Sequence, residues 1–535
     1  MRRFLAPAIL LLALSGPGAA AGANIDGTAR ADRLTGTDSA DLIRGLGGND
    51  FLRGGLGEDR LLGGPGDDRI AVHYDGGRDT VVCGNGQDIV NADLVDTVGA
   101  DCEVVGRQLS RDGGSDFRGQ HETQVEPDSF AYGRTIVTVF QVGRFVYGGA
   151  MNIGFSTSKD AGATWRSGLL PALSVFSTPA GRSVLVTDPT IAYDARHDVW
   201  LAVSLAVTPE TDEFLVSRSR DGLTWSLPVV VSRADENTYD KEWVVCDNGA
   251  SSRFRGRCYI SYLDLRRGTI VTTHSSDGGL TWSGAGGQPA GAVIRDHVNG
   301  AQPIVRPDGM LLVLYTGYGF AFADEIGVLR SVDGGATFVE PERVADLADR
   351  DVPGIRAPPL PSVEIDRTGT VYVAWQDCRF RLDCSGNDIV WVRSRNGLTW
   401  SDPARVPIRI PDDVSLFTPG LAVDATTSGD RARIAVAYHS LGPCNVLTCS
   451  GVNVNLVTSV NAGRTWGPAR RLNAEPMQPF WIADSGLGRM LADYISTSYT
   501  GGRAIPVFAL ASPPVAESFR QAIFVATRAF TPARR

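Results

Sequence analysis

Residues 275–282 read Ser-Ser-Asp-Gly-Gly-Leu-Thr-Trp, and this box returns in close variants along most of the chain. The further copies are 158–165 (SKDAGATW), 219–225 (SRDGLTW), 331–338 (SVDGGATF), 394–400 (SRNGLTW) and 459–466 (SVNAGRTW). Their closing aromatic residues lie 56 to 66 residues apart. Because about sixty residues accommodate four strands with their loops, the spacing predicts six four-stranded repeats.

Each box has a local structural explanation. Asp277 followed by Gly278 favours a tight hairpin turn, and the side chains of Ser275 and Asp277 are suited to bond the turn backbone. The closing Trp282 is large and apolar, which suits it to fill the gap between neighbouring repeats. Gly 62 and Pro 29 in 535 residues favour many turns over long helices. The sequence therefore predicts an all-β fold.

The repeated box resembles the Asp-box, or BNR repeat. Six copies resemble the six-bladed β-propeller of the sialidase superfamily, and residues 121–535 are all needed for six blades. The resemblance implies a functional site at the mouth of the central channel, where the innermost strands converge. The box itself lies at the blade rim in that family.

A second, shorter repeat occupies the segment from Asn24 to Val105. Three columns recur every nine residues and consist of a glycine, an aspartate and an aliphatic residue. They are Gly27, Gly36, Gly45, Gly54 and Gly63; Asp32, Asp41, Asp50, Asp59 and Asp68; Leu34, Ile43, Leu52, Leu61 and Ile70. Such a unit predicts a glycine turn, one presented carboxylate and one buried aliphatic side chain, stacked into a solenoid.

These nonapeptides resemble the RTX, or haemolysin-type, calcium-binding repeat, whose turns bind Ca²⁺ in a parallel β-roll. The resemblance implies Ca²⁺ as the cofactor and the aspartate column as ligands, with Asn49 and Asp67 beside it. Ca²⁺ prefers six to eight oxygen ligands, and it would relieve the repulsion between stacked carboxylates. Arg30 and Ser39 replace glycine in the first two units. The alternative is a metal-free, solvated acidic β-solenoid.

The N-terminal residues and the cysteines predict an exported protein. Arg2 and Arg3, an apolar run from Phe4 to Leu14 and an alanine-rich site ending near Ala23 are typical of a secretory signal peptide at residues 1–23. A membrane anchor is the alternative, but the run is short for a bilayer. The eight cysteines predict disulfides between sequence neighbours. The predicted pairs are Cys83 with Cys102, Cys246 with Cys258, Cys378 with Cys384, and Cys444 with Cys449.

Charge is concentrated in the N-terminal repeat. Residues 24–105 hold 16 acidic residues against 7 arginines, whereas the whole chain has a formal charge of −9. This argues against a nucleic-acid partner. We expect the roll at 24–105, a linker at 106–120 and the propeller at 121–535, with extracellular glycan or glycoprotein as the partner.

Candidate site residues come from the segments expected to begin the innermost strands. The sialidase resemblance, carried over by blade order, implies Tyr494 as nucleophile, Glu242 as its activating partner and Asp128 or Asp188 as the acid. It also implies Arg356 and Arg489 as part of a carboxylate clamp, since bidentate arginine suits a planar carboxylate. Lys241 joins them as a substrate-binding candidate, because the chain holds few lysines; a solvated loop lysine is the alternative.

One departure separates two functional hypotheses. The family's Arg-Ile-Pro signature does not precede the first box, and the only such tripeptide, Arg409-Ile410-Pro411, follows the fifth box. Arg134 and Arg144 are the arginines near the expected place. The first hypothesis is an exo-sialidase-type glycoside hydrolase, and the second is a non-catalytic propeller that binds glycan or protein. No zinc-binding H-E-x-x-H motif supports metal-dependent hydrolysis.

Overall fold

A computed structural model describes residues 22–112, 118–235, 238–283, 290–293, 298–319, 323–444, 449–515 and 518–528. The chain divides into two compact units. The N-terminal unit comprises Met1–Asp88 and Val95–Cys102, and the C-terminal unit comprises Ile89–Leu94 and Glu103–Arg535. Residues 1–21, which carry nearly all of the expected signal peptide, lie outside the described residues.

The N-terminal unit is a parallel β-solenoid. Successive nonapeptides contribute short strands alternately to two sheets, ordered β1-β3-β5-β7-β9 and β2-β4-β6. The strands of the first ninety-odd residues are β1 (Asn24–Asp26), β2 (Arg33–Thr35), β3 (Leu42–Arg44), β4 (Phe51–Arg53), β5 (Arg60–Pro65), β6 (Arg69–Val72), β7 (Thr80–Asn85), β8 (Ile89–Ala92) and β9 (Thr97–Val98). β8 belongs to the C-terminal unit.

The aliphatic column and the glycine column account for this solenoid. Ile43, Leu52, Leu61 and Ile70 are fully buried between the sheets, so one aliphatic residue per repeat builds the thin core. The glycine column is required by close approach, because a Cβ on Gly45 would lie 2.3 Å from the Asp50 carboxylate. A bond between Cys83 and Cys102 closes the irregular last turns.

The C-terminal unit is built from four-stranded antiparallel sheets that follow one another in sequence. The first three are β11 (Gln120–Tyr132), β12 (Thr135–Arg144), β13 (Ala150–Ser158), β14 (Arg166–Leu169); β15 (Leu185–Asp194), β16 (Val199–Val207), β17 (Thr211–Ser219), β18 (Val229–Asp235); β19 (Tyr239–Cys246), β20 (Cys258–Asp264), β21 (Thr269–Ser275), β22 (Ala290–Val293). The next three are β23 (Val298–Val305), β24 (Leu311–Tyr318), β25 (Ala323–Ser331), β26 (Glu342–Asp346); β27 (Ser362–Ile365), β28 (Val371–Asp377), β29 (Asp388–Ser394), β30 (Ala404–Arg405); β31 (Ser415–Val423), β32 (Ile434–Leu441), β33 (Val452–Ser459), β34 (Arg470–Arg471).

A further sheet joins the two ends of the unit. It consists of β37 (Ser496–Thr500), β38 (Arg503–Val515) and β39 (Ser518–Ala526), and its outer strand is β10 (Val104–Gln108). β10 runs antiparallel to β39, with Gly106 opposite Ala526. A small hairpin, β35 (Asp484–Ser485) and β36 (Gly488–Arg489), precedes this sheet. Helix is limited to 3₁₀ turns at Leu382–Cys384, Gly429–Arg431 and Pro479–Trp481 within the described residues.

The described residues thus form seven antiparallel groups of four strands, where the boxes led us to expect six repeats. Four of these sheets are separate, whereas the first, second and seventh are joined into one larger sheet through the single pairs Ala150 with Val186 and Thr123 with Gln521. Six sheets carry a box between their third and fourth strands. The seventh ends in β39 and takes its fourth strand from β10, so it has no hairpin that could hold a box. For the same reason residues 106–108 are part of a strand, although the sequence placed them in a linker.

The box residues make the expected turn contacts. Ser275 Oγ donates to Asp277 Oδ1 at 2.8 Å, and the Asp277 carboxylate accepts the Thr281 backbone N–H at 3.0 Å. Trp282 is buried in a cluster with Leu201 and Val203 of the preceding sheet. The box therefore closes a hairpin and packs one sheet against the next.

Hydrogen bonds also join the first strand of one sheet to the first strand of the next. Asp128 Oδ2 accepts the Ile191 N–H at 2.9 Å, which joins β11 to β15. Ser496 Oγ accepts the Ser129 N–H at 3.0 Å, which joins the seventh sheet back to the first. Equivalent bonds run from the Val363 N–H to Gln302 Oε1 and from the Leu421 N–H to Ser362 Oγ.

The remaining predicted disulfides are also formed, joining Cys246 with Cys258, Cys378 with Cys384, and Cys444 with Cys449. Among the described residues, none of the helices has the length and apolar character needed to cross a membrane.

Candidate functional site

The first strands carry a recurrent backbone feature that shapes the site. A β-bulge interrupts β11, β15, β19, β23 and β31, and one residue at each bulge has a left-handed φ. These residues are Glu126 (54°), Asp188 (50°), Lys241 (47°), Gly300 (70°) and Thr418 (49°). Four of the five carry side chains that disfavour this conformation, and such strain tends to be kept where side chains must be aimed at a site.

A cavity of about 820 Å³ opens at these bulges. Glu126, Asp188 and Lys241 line it together with charged residues from other segments of the unit. The full set of charged lining residues is Glu126, Arg144, Asp188, Asp240, Lys241, Asp349, Asp351, Arg356 and Asp493. The C-terminal unit therefore brings acids and bases from separate sheets into one polar cavity.

Burial raises the pKa of several of these acids. It raises the pKa of Glu126 to about 8, and the nearby carboxylates of Asp188 and Asp493 add to that rise. Burial also raises the pKa of Asp240 to about 7 and that of Asp349 to about 6. The Glu126 carboxyl accepts a hydrogen bond from the side-chain amide of Gln141. At neutral pH the cavity thus holds carboxyl groups that can donate a proton.

Two arginines are fixed in the cavity wall. Arg356 forms a bidentate ion pair with Asp493, with Nε 2.9 Å from Oδ1, and its pKa is raised chiefly by that carboxylate against the effect of burial. Arg144 is fully buried, donates to the Asp484 carbonyl at 2.7 Å and leaves its Nε without a hydrogen-bond partner among the described residues.

Lys241 is the third cation of the cavity and is not a solvated loop residue, since only 5% of it is exposed. Its Nζ lies 3.3 Å from the centroid of the Tyr494 ring and 5.0 Å from that of Trp243. The closest carboxylate oxygen in an ion pair is Asp188 Oδ1 at 3.9 Å, and Nζ makes no hydrogen bond to any described residue. Cation–π contacts thus hold the ammonium group, while its hydrogen-bonding capacity stays available.

The other predicted residues lie outside the lining of this cavity. Tyr494 is buried, and its hydroxyl donates to the Pro189 carbonyl at 3.1 Å. Glu242 is fully buried and neither of its carboxyl oxygens bonds to a residue that the structure describes, the Tyr494 hydroxyl included. Burial raises the pKa of both groups well above their usual ranges. Asp128 serves the seam between β11 and β15 described above.

Arg489 occupies a supporting position. Its guanidinium lies 3.0 Å from Asp484 Oδ1 and donates to the Ile482 carbonyl, and its backbone carbonyl accepts the Arg356 N–H at 2.8 Å. It is not among the residues lining the cavity, whereas Arg144 is. None of Glu126, Asp240 and Asp493 was selected from the sequence alone. Asp240 is the second residue of β19 and Asp493 lies three residues before β37, so their place near the start of a first strand was a usable signal. Glu126 lies at the bulge inside β11, which the sequence did not predict.

The aspartates of the N-terminal unit form a second candidate site. From Asp50 onward, each Oδ1 in the column accepts the backbone N–H of the aspartate one coil earlier, as from Asp50 N to Asp68 Oδ1 at 2.8 Å. The same bond joins Asp41 N to Asp59 Oδ1. The second oxygens of Asp50, Asp59, Asp68 and Asp79 are buried and have no hydrogen-bond partner among the described residues. An orphaned row of buried carboxylate oxygens fits a bound cation.

In the first two repeats, a threonine hydrogen-bonds to the second oxygen of the aspartate. Thr28 donates both its N–H and its hydroxyl to Asp32 Oδ2, at 2.6 and 2.8 Å, and Thr37 does the same for Asp41. The next three repeats replace this threonine with a residue of left-handed φ. These are Leu46 (74°), Gly55 (113°) and Gly64 (108°). From the third repeat onward, the turn therefore lacks the threonine hydroxyl that bonds to the aspartate in the first two repeats.

Asn49 and Asp67 lie beside the column on the exposed side of the turns. Asn49 Oδ1 accepts the Asp67 N–H at 2.9 Å, and Asp67 Oδ1 accepts the Gln87 N–H at the same distance. Farther along, Asp59, Asp75 and Asp79 offer carboxylate oxygens that lie within 4.8 Å of one another.

Comparison with known families identifies the first of these regions. The family model for the RTX calcium-binding nonapeptide repeat (4 copies) matches residues 26–61 and 35–70. The N-terminal unit contains RTX calcium-binding repeats. This confirms the family expected for the nonapeptides and Ca²⁺ as the ion that such repeats bind. No curated protein matches the chain.

Solved structures similar to this chain include two sialidases and a polysaccharide lyase. The Hadza microbial sialidase Hz136 has 18% sequence identity and a TM-score of 0.40, and the match covers 60% of this chain and 64% of that one. The phage phi92 endosialidase has 10% identity and a TM-score of 0.44, covering 83% and 72%. The PL25 ulvan lyase has 10% identity and a TM-score of 0.46, covering 79% and 95%.

Proposed function

We propose that this is an extracellular, calcium-binding glycoside hydrolase that acts on glycans carrying acidic sugars, as an exo-α-sialidase does. The observation that carries the proposal is the coexistence of a protonated carboxyl, a carboxylate and three cations in one cavity. Glycosidases need one carboxyl group to protonate the leaving oxygen and a second group to stabilise or attack the sugar. Four disulfides and RTX repeats support an extracellular location.

In this proposal Glu126 is the proton donor. Its pKa of about 8 keeps it protonated at neutral pH, and its bulge aims it at the cavity. The proton passes from its carboxyl to the glycosidic oxygen as the bond to the anomeric carbon breaks. Asp188, which we also expected as the acid, lines the same cavity, and burial raises its pKa as well.

Arg144, Lys241 and Arg356 bind the carboxylate of the acidic sugar. Lys241 offers a buried ammonium group with free hydrogen-bonding capacity, and Arg144 offers an unpartnered Nε. Arg356 contributes charge, although Asp493 already takes its bidentate face. Arg489 acts one step away, by holding Asp484 and the backbone of Arg356 in place.

The identity of the nucleophile divides the proposal into two schemes. In the sialidase-like scheme Tyr494 attacks and Glu242 activates it, which requires the tyrosine hydroxyl to leave the Pro189 carbonyl. In the two-carboxyl scheme a cavity carboxylate, Asp188 or Asp493, replaces the tyrosine and no such movement is needed. Asp128 remains a structural residue in both schemes because its Oδ2 holds the Ile191 N–H.

We propose a propeller architecture for the C-terminal unit, with the count revised from six blades to seven. Six blades carry the box, and the seventh is closed by β10 from the N-terminal side of the unit. The revision places residues 104–108 in the propeller. The proposed organisation is a signal peptide at 1–23, an RTX roll from 24 and a propeller from β10 to the C-terminus.

For the roll we propose that Ca²⁺ is bound by the column from Asp50 onward. Asp50, Asp59, Asp68 and Asp79 would supply carboxylate oxygens, with turn carbonyls completing the ligand set. Asn49 and Asp67 would orient adjacent turns. Asp32 and Asp41, whose carboxylates are already satisfied by threonines, would contribute less.

A non-catalytic propeller that binds an acidic glycan or a protein at the same cavity is the second candidate. The engaged Tyr494 hydroxyl and the absence of an Arg-Ile-Pro segment before the first box favour it. Both candidate functions use the three cationic side chains of the cavity. A binding propeller, unlike a hydrolase, does not need the raised pKa of Glu126.

The test is hydrolysis of a fluorogenic sialoside by the mature protein with calcium, alongside Tyr494→Phe and Glu126→Gln. Loss of turnover in both variants would establish the sialidase-like scheme, with Tyr494 as nucleophile and Glu126 as proton donor. Loss in Glu126→Gln with activity kept in Tyr494→Phe would establish the two-carboxyl scheme. No turnover by well-folded wild type on this substrate or on fluorogenic uronides, combined with binding of the free acidic sugars, would establish the binding propeller.

A further inference from the structure

Two hairpin tips at the edge of the cavity carry exposed apolar side chains with no structural task. Tyr147 is 94% exposed and Leu487 is 76% exposed, yet both line the cavity. We propose that Tyr147 and Leu487 form a binding subsite for a second sugar ring, so that the ligand is an oligosaccharide with its acidic end in the cavity. This inference rests on the proposed function and adds a substrate class to it.

The loop that carries Tyr147 is rigidly built. It joins β12 to β13, and the Phe145 N–H donates to the Gly149 carbonyl at 2.9 Å. Gly148 (φ 122°) and Gly149 (φ 68°) allow the turn to reverse in so few residues. The other aromatic residue of the loop, Phe145, packs against Phe176 with ring centroids 6.2 Å apart. Because Phe145 anchors the loop, Tyr147 is not needed to hold it down.

The hairpin that carries Leu487 is equally constrained. Ser485 Oγ donates to the Gly488 carbonyl at 2.5 Å and accepts the Leu487 N–H at 3.2 Å. The backbone N–H of Gly486 donates to the Val146 carbonyl at 3.0 Å, which ties this tip to the Tyr147 loop. A Cβ on Gly486 would lie only 3.6 Å from Tyr147 Cδ1, so the two tips are in close contact.

The same hairpin is tied to the charged part of the cavity. Arg144, at the end of β12, donates to the Asp484 carbonyl, and Asp484 pairs with Arg489. The two tips are therefore fixed relative to the cations that would hold the acidic sugar. A preformed aromatic and aliphatic surface costs little conformational entropy when it binds.

The chemistry of this surface suits a sugar ring. A pyranose presents apolar C–H faces edged by hydroxyls, and a tyrosine offers an apolar ring with a polar tip. Exposed apolar groups beside a polar cavity are a common mark of a ligand-binding surface. The subsite accepts the ring that follows the acidic sugar, which is the leaving group of a hydrolytic reaction or simply the next residue of a bound glycan.

The experiment compares short and long probes by isothermal titration calorimetry on the full mature protein with calcium, at low temperature to limit turnover. The probes are N-acetylneuraminic acid against 3′-sialyllactose, and galacturonic acid against trigalacturonate. We expect the wild type to bind the longer member of one pair about three- to tenfold more tightly. Tyr147→Ala should abolish that gain and leave affinity for the monosaccharide unchanged, while Tyr147→Phe should keep most of it.

Phe480→Ala is the matched control, since Phe480 is also an exposed aromatic residue, 61% exposed, but does not line the cavity. It should leave all affinities unchanged. Equal wild-type affinity for short and long probes, or an equal loss for both in Tyr147→Ala, would overturn the subsite and leave the acidic-sugar cavity standing. Binding of no acidic probe at all would overturn the proposed cavity function, and the subsite with it.

Discussion

Buried carboxylates occur in both units, but each unit satisfies them by different means. In the N-terminal unit the oxygens of Asp50, Asp59 and Asp68 that remain after backbone bonding find no partner in the part of the chain that the structure describes. In the C-terminal unit Glu126 receives the Gln141 amide, and Asp493 forms an ion pair with Arg356. The first arrangement calls for an added cation, whereas Glu126 and Asp493 in the second are satisfied by an amide and by an arginine.

The difference shows that the partner of a buried acid depends on the arrangement of its neighbours. Leaving ionised carboxylates buried and unpaired is expensive, so a stable protein must bring in a metal, a proton or a basic side chain. A metal would suit the regular column, because the repeats from Asp50 onward each present a carboxylate oxygen at the same place. The cavity selects protonation and ion pairs because its acids come from unrelated loops beside Arg144, Lys241 and Arg356.

Removal of calcium should have the largest effect and should affect the two units differently. We expect EDTA to unfold the N-terminal unit in the full-length protein while the C-terminal unit stays folded, because only the former depends on a cation for its buried carboxylates. Each site loaded 1,000-fold above its Kd contributes about 4 kcal/mol, which a single thin core cannot replace. Hydrogen exchange should show the amides of Leu52, Leu61 and Ile70 losing protection.

Magnesium at the same concentration is the control for ionic strength, and it should restore little protection because Mg²⁺ prefers six short oxygen bonds and retains its waters. Equal protection of Leu52, Leu61 and Ile70 with and without chelator would contradict the metal assignment. It would support the metal-free solenoid instead.

The next prediction separates repeats within the roll. Asp68→Asn should lower calcium affinity at least about tenfold, because it removes one charged ligand from an orphaned site. Asp41→Asn is the matched variant and should change calcium affinity less than about twofold, since Thr37 already bonds that carboxylate. Calcium titration by calorimetry measures both. Equal losses in the two variants would mean that the threonine repeats bind calcium as well.

In the cavity, proton linkage should set a pH dependence. The pKa of Glu126 is about 8 in the folded protein against an ordinary 4.5, so the folded state keeps a proton that the unfolded chain releases. The free energy of unfolding should therefore fall as pH rises from 4.5 to 8, by up to about 1.4 kcal/mol per unit. Glu126→Gln cannot titrate and should flatten that fall for the C-terminal unit.

The measurement is urea unfolding at several pH values between 4.5 and 8.5, with calcium present throughout. Glu325→Gln serves as the control for a neutralised glutamate outside the cavity lining. Parallel pH profiles of the wild type and Glu126→Gln would show that Glu126 is ionised in the folded protein. They would remove the proposed proton donor.

The smallest effect concerns one strained turn. Leu46 has φ 74° where the following repeats have Gly55 and Gly64, and its side chain is half exposed. Leu46→Gly should stabilise the N-terminal unit by about 1 kcal/mol in calcium, because glycine adopts this conformation without the steric cost. The midpoint of urea unfolding followed by hydrogen exchange measures it. A lower midpoint would indicate that the leucine side chain contributes more than its strain costs.

Sequence periodicity carried some of these conclusions and failed at others for identifiable reasons. The Asp59 column and the Asp277 box were found because each depends on neighbours a few residues apart. The seventh sheet was missed because it lacks a box and is closed by pairing Gly106 with Ala526. Blade order also nominated Arg489, whereas the cavity is lined by Arg144, whose position depends on a hairpin 340 residues away in sequence.

By itself the sequence determined the all-β class, the calcium-binding repeats, the disulfide partners and the turn chemistry of the boxes, because these follow from local spacing and side-chain type. Only the tertiary structure decided which charges share a cavity, where the Tyr494 hydroxyl donates and which carboxyls are protonated. Those properties depend on burial and on distances between residues far apart in the chain, and both are fixed only when separate sheets pack together.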